Sequence, residues 1–205
     1  MAILLPHSLM IHVPKTGGSW CRVVLRAAKL PTHEVGPNRH CGINAIHQHA
    51  KNRFSFGFVR NPLVWMQSRW AYTMRNSKER AVVGVPYWST DFNDWVANIV
   101  EKHPRFVLRA MLTRLGYKES NGEWRPGKHV VGFVGKTEHL CDDLVEALQR
   151  ASESFDERAI RRIAPQKVCS RGDYWRKRIQ YRPDLRQRVI EVNRPIFELF
   201  GYKGS

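Results

Sequence analysis

The chain has 205 residues, enough for one domain with a substantial core, and its 42% hydrophobic and 25% charged residues are ordinary globular values. Its 34 lysines and arginines against 18 aspartates and glutamates leave a net charge of +16, which favours anionic ligands of unspecified kind. Four widely separated cysteines argue against a disulfide framework or a zinc site, and no apolar run has the length of a membrane span or signal peptide core, so we expect a cytoplasmic protein without a membrane partner.

The first predicted elements enclose a short loop. Residues 9–13 form an apolar run and residues 20–30 an amphipathic stretch, which predict a buried strand and a helix on either side of a glycine-containing turn. The turn consists of Pro14, Lys15, Thr16, Gly17, Gly18 and Ser19. A lysine beside the free N–H groups of a helix start forms an anion site, most naturally for phosphate or sulfate. Because the lysine precedes the glycines, the turn does not match the GxxxxGK[ST] loop of magnesium-dependent NTPases.

A second strand is predicted over residues 54–59, where phenylalanines alternate with small residues, and a helix over residues 63–74. Arg60 follows this strand, and Ser68 lies eight residues further on. An arginine fork and a serine hydroxyl are suited to bind a second phosphate group.

The remaining elements complete an α/β pattern. We predict a helix capped by Thr90 or Asp91, helices over residues 105–115, 142–152, 158–163 and 183–200, a turn at Asn121 and Gly122, and a strand over residues 129–134, with loops over residues 76–89 and 166–176. Three strands separated by helices predict an α/β domain with a mainly parallel β-sheet flanked by helices. The loops that follow its strands then face the same crevice.

Four stretches together resemble the sulfotransferases that use 3′-phosphoadenosine 5′-phosphosulfate (PAPS). HVPKTGGSW resembles their 5′-phosphosulfate loop and FGFVRNPLVWMQS their 3′-phosphate motif. VGFVGKTEHLCDDL resembles their late strand and helix, and RPDLRQRVIEVNRPIFELFGY the end of bacterial and carbohydrate-type members. The resemblance implies a P-loop NTPase-like sulfotransferase fold as a single domain over residues 1–205, with residues 73–128 as a mostly helical insertion on the acceptor side.

The resemblance also implies roles for individual residues. Lys15 is expected beside the oxygen that bridges the 5′-phosphate and the sulfur, where negative charge develops as the bond breaks. Arg60 and Ser68 are expected on the 3′-phosphate. The 5′-phosphate is expected to contact Thr16, Gly17, Gly18 and Ser19. Trp20, Trp65 and Trp70 are the candidates for a contact with adenine.

The acceptor hydroxyl needs a general base, and the resemblance places this base between the loop and the second strand. The histidines in that segment are His33, His40, His47 and His49. The spacing from His40 to Arg60 fits the family pattern best, and His49 is the second choice. Glu34 is an alternative because some relatives use a carboxylate, whereas His12, placed within the first strand, is expected to be structural.

The sequence therefore predicts an enzyme that transfers a sulfuryl group from PAPS to a hydroxyl of a carbohydrate or small molecule, releasing 3′-phosphoadenosine 5′-phosphate (PAP), with no metal and no nucleic-acid partner. Two alternatives remain. A P-loop nucleotide kinase is disfavoured by the absence of GK[ST]. A nucleic-acid-binding protein fits the charge of +16, but no RNP, helix-turn-helix or zinc pattern supports it.

Overall fold

The computed structural model describes residues 2–36, 41–75, 89–165 and 178–203. The chain divides into two compact units. The sheet unit comprises Met1–Arg60 and Ala110–Gln166, and the helical unit comprises Asn61–Arg109 and Lys167–Ser205. None of the helices that the structure describes is long and apolar enough to cross a membrane.

The sheet unit contains a mixed five-stranded sheet and a separate two-stranded hairpin. The strands are β1 (Ala2–Leu4), β2 (Ser8–Ile11), β3 (His33–Val35), β4 (Phe54–Val59), β5 (Tyr117–Ser120), β6 (Glu123–Pro126) and β7 (Phe133–Lys136). In the large sheet the order is β3-β1-β2-β4-β7. β2 pairs parallel with β4, and β4 with β7, whereas β1 runs antiparallel to both β2 and β3. The predicted α/β class is confirmed. The predicted mainly parallel sheet is not, because two of the four strand pairings in the large sheet are antiparallel.

The helices are α1 (Gly18–Ala27), α2 (Ile43–Ala50), α3 (Pro62–Arg75), α4 (Phe92–Lys102), α5 (Phe106–Leu108), α6 (Leu140–Arg150), α7 (Glu157–Arg161), α8 (Pro183–Val192) and α9 (Arg194–Phe200). A π-helical turn, Arg109–Thr113, continues α5. The prediction of one closing helix over residues 183–200 is wrong. The first helix ends at Val192, Asn193 interrupts it, and α9 begins at Arg194 with Pro195 in its first turn, where proline is well tolerated.

The central strands are buried by helices. Every residue of β2 and all but the first of β4 are buried, as in sheets with both faces covered. Phe56 and Phe58 of β4 share a core cluster with side chains of α1 and α6. These include Trp20, Cys21, Val24, Leu25, Leu140, Leu144 and Leu148. Burying each large apolar side chain stabilises the fold by about 1.5–3 kcal/mol, so this cluster fixes α1 on the sheet.

The strand predicted over residues 129–134 is displaced in the structure, where β7 begins at Phe133. The N–H of Val131 donates to the carbonyl of Leu115 at 3.0 Å, so the residues before β7 pair with the segment that leads into the hairpin. The predicted turn at Asn121 and Gly122 is confirmed. Their φ angles of 51° and 82° are those of the two-residue turn that joins tightly twisted hairpins.

In the helical unit, the predicted helix start at Asp91 is confirmed. Its carboxylate accepts hydrogen bonds from the N–H groups of Asn93 at 2.7 Å and Asp94 at 3.0 Å. Phe92 lies edge-on to Trp70, with ring centroids 5.7 Å apart, and edge-on to Tyr181 at 4.8 Å. These aromatic contacts join α4 to α3 and to the segment that precedes α8.

The predicted insertion over residues 73–128 contains α4, α5 and the β5–β6 hairpin. Residues 76–88, which make up the predicted loop together with Ser89, lie outside the described residues. Residues 166–177, which include the whole of the loop predicted over residues 166–176, lie outside them too. The description of the chain as one domain with an acceptor-side insertion stays a prediction.

Candidate functional site

The three parallel strands β2, β4 and β7 end at one edge of the sheet, which we call the carboxyl edge. Ile11 of β2 lies opposite Gly57 of β4, and Gly57 lies opposite Val134 of β7. Because neighbouring strands are about 4.8 Å apart, the residues that follow these strands are brought close together. The carboxyl edge therefore receives the loop before α1 and the residue that follows β4, Arg60.

The loop between β2 and α1 has an unusual backbone. Lys15 has a φ of 65° and Gly17 a φ of 88°, both in the left-handed region. For a lysine this conformation costs about 1–2 kcal/mol, so it requires support from its surroundings. The buried Thr16 provides part of that support, since its Oγ1 donates a hydrogen bond to the carbonyl of Val13 at 2.8 Å. The hydroxyl proton of Thr16 is therefore used within the loop.

The start of α1 is arranged for an anion. Gly17 occupies the N-cap position without a side chain to cap the helix, and the first turn contains no acidic residue. The N–H groups of Gly18, Ser19 and Trp20 have no carbonyl partner within the helix. Ser19 is exposed, so this first turn is accessible to solvent. Such a helix start attracts phosphate or sulfate through aligned N–H groups and the helix dipole.

Both glycines of the loop are required by close packing. A Cβ on Gly17 would lie 2.3 Å from Cδ2 of Leu140, and one on Gly18 would lie 2.2 Å from Cδ2 and 2.5 Å from Nε2 of His12. The prediction that placed His12 within the first strand is wrong, because β2 ends at Ile11. The His12 imidazole instead lies against the first turn of α1, a contact that the sequence did not reveal.

Arg60 connects the second predicted motif to the loop. It follows β4, and its Nη1 donates a hydrogen bond to the main-chain carbonyl of Lys15 at 3.2 Å. Thr137 fixes the neighbouring strand end, since its Oγ1 donates to the carbonyl of Val59 at 2.8 Å. The structure therefore brings together Lys15 and Arg60, two residues that are 45 positions apart in the chain.

Lys136 adds a third cationic residue to this edge. It is the last residue of β7 and lies opposite Val59 in the ladder. Sequence reasoning missed it because the predicted strand ended at residue 134, two residues too early to place the lysine at the strand end. The available signal was a lysine close after the apolar residues 133 and 134, much as Arg60 follows the apolar run of β4.

The residues predicted to bind the 3′-phosphate beside Arg60 and the adenine are buried. Ser68 lies on α3 in the helical unit and is 5% exposed, so its pairing with Arg60 stays a prediction. Trp65 and Trp70 belong to the buried aromatic packing of the same unit. Trp20 in the sheet unit is 9% exposed, and its Nε1 donates to the carbonyl of Ile163 at 2.8 Å. This hydrogen bond gives Trp20 a structural role, and the adenine contact predicted for it stays untested.

The preferred base, His40, lies outside the described residues. Gly36 and Cys41, the residues on either side of the stretch 37–40, lie close together. A Cβ added to Gly36 would be 2.3 Å from the Sγ of Cys41. Gly36 directly follows β3, and β3 has the same direction as β2 because both run antiparallel to β1. Gly36, the last described residue before His40, therefore lies at the carboxyl edge.

His49, the second choice, occupies the last turn of α2 and is exposed. The N–H of Arg53 donates to the carbonyl of Ala50 at 3.1 Å, and β4 begins at Phe54. His49 thus lies beside the amino end of β4, whereas Arg60 follows its carboxyl end, about 20 Å away along a strand of this length. The structure does not bring His49 together with Lys15.

Two further candidates for the general base, His33 and Glu34, lie on β3. Glu34 forms an ion pair with Arg22 of α1, with Oε1 3.2 Å from Nε, and its side chain is 50% exposed. His33 is exposed beside it on the outermost strand of the sheet. Glu34 is therefore held by a cation of the neighbouring helix, and a base in the proposed reaction would have to give up that pairing.

No protein-family model, no curated protein and no solved structure matches this chain. Among the residues that the structure describes, no three histidine, cysteine, aspartate or glutamate side chains are grouped to hold a metal ion. Metal independence stays a prediction. The functional interpretation rests on the four sequence motifs and on the geometry of the loop and Arg60.

Proposed function

We propose that this chain is a PAPS-dependent sulfotransferase with the P-loop-like sulfotransferase fold, acting on a hydroxyl of a carbohydrate or small-molecule acceptor. The observation that carries the proposal is the hydrogen bond between Arg60 and the Lys15 carbonyl. It joins an anion loop at the end of one parallel strand to an arginine at the end of the next. A donor with two separate phosphate groups suits such a pair of cationic positions.

In the proposed complex, the 5′-phosphosulfate lies at the first turn of α1. The N–H groups of Gly17, Gly18 and Ser19 donate to its oxygens, and the Lys15 ammonium neutralises its charge. Arg60 binds the 3′-phosphate through its guanidinium fork, together with the hydroxyl of Ser68. This second contact distinguishes PAPS from nucleotides that carry phosphate on the 5′ side alone.

The transfer proceeds by in-line displacement. The acceptor oxygen forms a bond to sulfur while the bond between sulfur and the bridging oxygen breaks, and the electron pair of that bond remains on the 5′-phosphate of PAP. His40 takes the proton of the acceptor hydroxyl. Lys15 contributes most when charge develops on the bridging oxygen, because a fixed cation acts more strongly on the transition state than on the bound donor. Arg60 and Thr16 help to hold the loop that carries Lys15.

The test is an incubation of the intact chain with radiolabelled PAPS, EDTA and a pool of sugars and alcohols. The proposal predicts a labelled sulfate ester together with an equal amount of PAP. Lys15→Ala serves as the inactive control, prepared and assayed in the same way. Absence of transfer to every acceptor together with absence of PAP binding would refute the proposal. Phosphate transfer that depends on added magnesium would instead identify a nucleotide kinase.

A further inference from the structure

A second group of basic side chains in the sheet unit lies apart from the loop that precedes α1. It consists of His47 on α2, Lys118 on β5, and Lys128 and His129 before β7, and we call it the basic cluster. The imidazoles of His47 and His129 are stacked, with ring centroids 4.6 Å apart and an interplanar angle of 17°. The side chains of His47, Lys118 and Lys128 are exposed, and that of His129 is half-buried.

Two glycines build this cluster by allowing close backbone approach. The N–H of Gly127 donates to the carbonyl of Gly116 at 2.9 Å. A Cβ on Gly127 would lie 3.1 Å from Cγ and 3.2 Å from Cε of Lys118, so the lysine stem passes directly over this glycine. A Cβ on Gly116, whose φ is 94°, would lie 1.9 Å from the carbonyl oxygen of His129. The backbone before β7 is therefore fixed against the base of the hairpin, which places Lys118 and His129 together.

The charged groups that shift the pKa of His129 are cationic. Burial lowers its pKa first, and the cationic neighbours His47, Lys128 and Lys118 lower it further. A nearby carboxylate would raise this pKa, and none is among the groups that act on it. On the hairpin, Arg125 lies opposite Lys118 and pairs with Glu123, so that carboxylate is already engaged by another cation.

The ring of His47 is oriented by the backbone of its own helix. Its Nδ1 lies 2.9 Å from the carbonyl oxygen of Asn44. A carbonyl oxygen can only accept a hydrogen bond, so Nδ1 is the donor in this contact. An oxyanion bound beside the stacked rings would offset the mutual repulsion of the ammonium groups of Lys118 and Lys128.

We propose that the basic cluster is an oxyanion-binding site, which takes a sulfate or carboxylate group through the ammonium groups of Lys118 and Lys128 and the ring N–H groups of His47 and His129. Such a group is carried by an acidic sugar or is present as a free inorganic ion. His47 lies in the last turn of α2, near the amino end of β4, and His129 lies four residues before β7 begins. Both are on the side of the sheet opposite the carboxyl edge, so this inference does not depend on the proposed donor site.

The test follows the histidine ring protons of the intact chain by NMR as a function of pH. Titrations are run at equal ionic strength in chloride, in inorganic sulfate and with a sulfated disaccharide. Bound anion favours the charged imidazolium, so the pKa of His129 should rise by about half a unit or more in sulfate, while that of His7 should not change. The rise should disappear in the double variant Lys118→Gln/Lys128→Gln and persist in Lys29→Gln, which removes an exposed lysine elsewhere in the sheet unit.

The two anion sources are distinguished by the concentration of each that is needed to shift the titration of His129. If the sulfated disaccharide acts at a lower concentration than inorganic sulfate, the ligand is a sugar-borne group. If both act at the same concentration, the ligand is the free ion. The proposal is overturned if sulfate leaves the His129 titration unchanged, shifts every histidine equally, or still shifts His129 in the double lysine variant. PAP binding, measured on the same proteins, should be unaffected by the lysine substitutions, and its loss would overturn the assignment of a separate site.

Discussion

The guanidinium of Arg60 donates a hydrogen bond to the main-chain carbonyl of Lys15, with 3.2 Å between Nη1 and the oxygen. The contact joins the end of β4 to the left-handed residue of the loop that precedes α1. A substitution at Arg60 therefore acts on two features at once, the proposed 3′-phosphate contact and the support of the loop. Variants of this residue must be read with both effects in mind.

We expect PAP to raise the melting temperature of the wild-type protein and Arg60→Ala to lose most of that increase. Charge-assisted hydrogen bonds contribute about 1.5–3 kcal/mol each, so PAP affinity should fall by about 10- to 150-fold. Arg60→Lys keeps the charge but not the fork and should retain part of the increase. Arg53→Ala is the matched control, because Arg53 is exposed just before the start of β4. An undiminished increase in Arg60→Ala would contradict the 3′-phosphate assignment.

Lys15→Ala should lower turnover far more than it weakens donor binding. Removing one preorganised charge from the leaving oxygen costs about 100- to 1,000-fold in kcat, whereas the helix N–H groups still bind the ground-state donor. The comparison needs kcat from sulfate transfer and Kd from PAP titration. Lys29→Ala is the control, since Lys29 is another lysine with a left-handed backbone, φ 58°, in the sheet unit. A raised Kd with an unchanged kcat would show that Lys15 acts in binding alone.

His40→Ala should abolish transfer and leave PAP binding intact, because a general base acts on the acceptor proton and not on the donor. His49→Ala should leave both properties near wild type, since His49 lies beside the amino end of β4. The measurements are transfer rates and PAP titrations on both variants. If His49→Ala loses transfer while His40→Ala keeps it, the choice of base is wrong and the loop and α2 must be brought together by a rearrangement.

Gly18→Ala tests the contact between the loop and His12. The added Cβ would lie 2.2 Å from the His12 ring, so this variant should be destabilised by about 1–3 kcal/mol in urea unfolding. The double variant Gly18→Ala/His12→Ala removes the obstructing ring and should recover part of the loss. Additive effects of the two substitutions would show that His12 does not contact the first turn of α1 in solution.

The parts of the fold that sequence predicts are those with strong local signals. β2 and β4 are apolar runs bounded by polar or turn-forming residues, and Asp91 marks the start of α4 by its capping chemistry. β1 and β3 have three residues each, too few to show a periodicity, so the sheet has more strands than predicted. Their places are set by pairing with partners distant in the chain.

In the candidate site, too, local sequence predicts some features, and tertiary packing determines the others. The loop with Lys15 is contained in one short stretch, so local sequence predicts its lysine, its glycines and the helix start, but not the contact of His12 with α1. The place of Lys136 depends on where β7 ends, and the distance of His49 from the loop depends on the direction of α2. No spacing in the sequence reports either quantity, because both are fixed by tertiary packing.

The central claim is that the carboxyl edge binds a donor with a 3′-phosphate. It is tested most directly by calorimetric titration of the wild-type protein with PAP and with adenosine 5′-phosphate, both in EDTA. We predict that PAP binds at least about tenfold more tightly, equivalent to about 1.4 kcal/mol, and that Arg60→Ala removes this difference. Equal affinities for the two nucleotides, or binding that appears only when magnesium is added, would contradict the account.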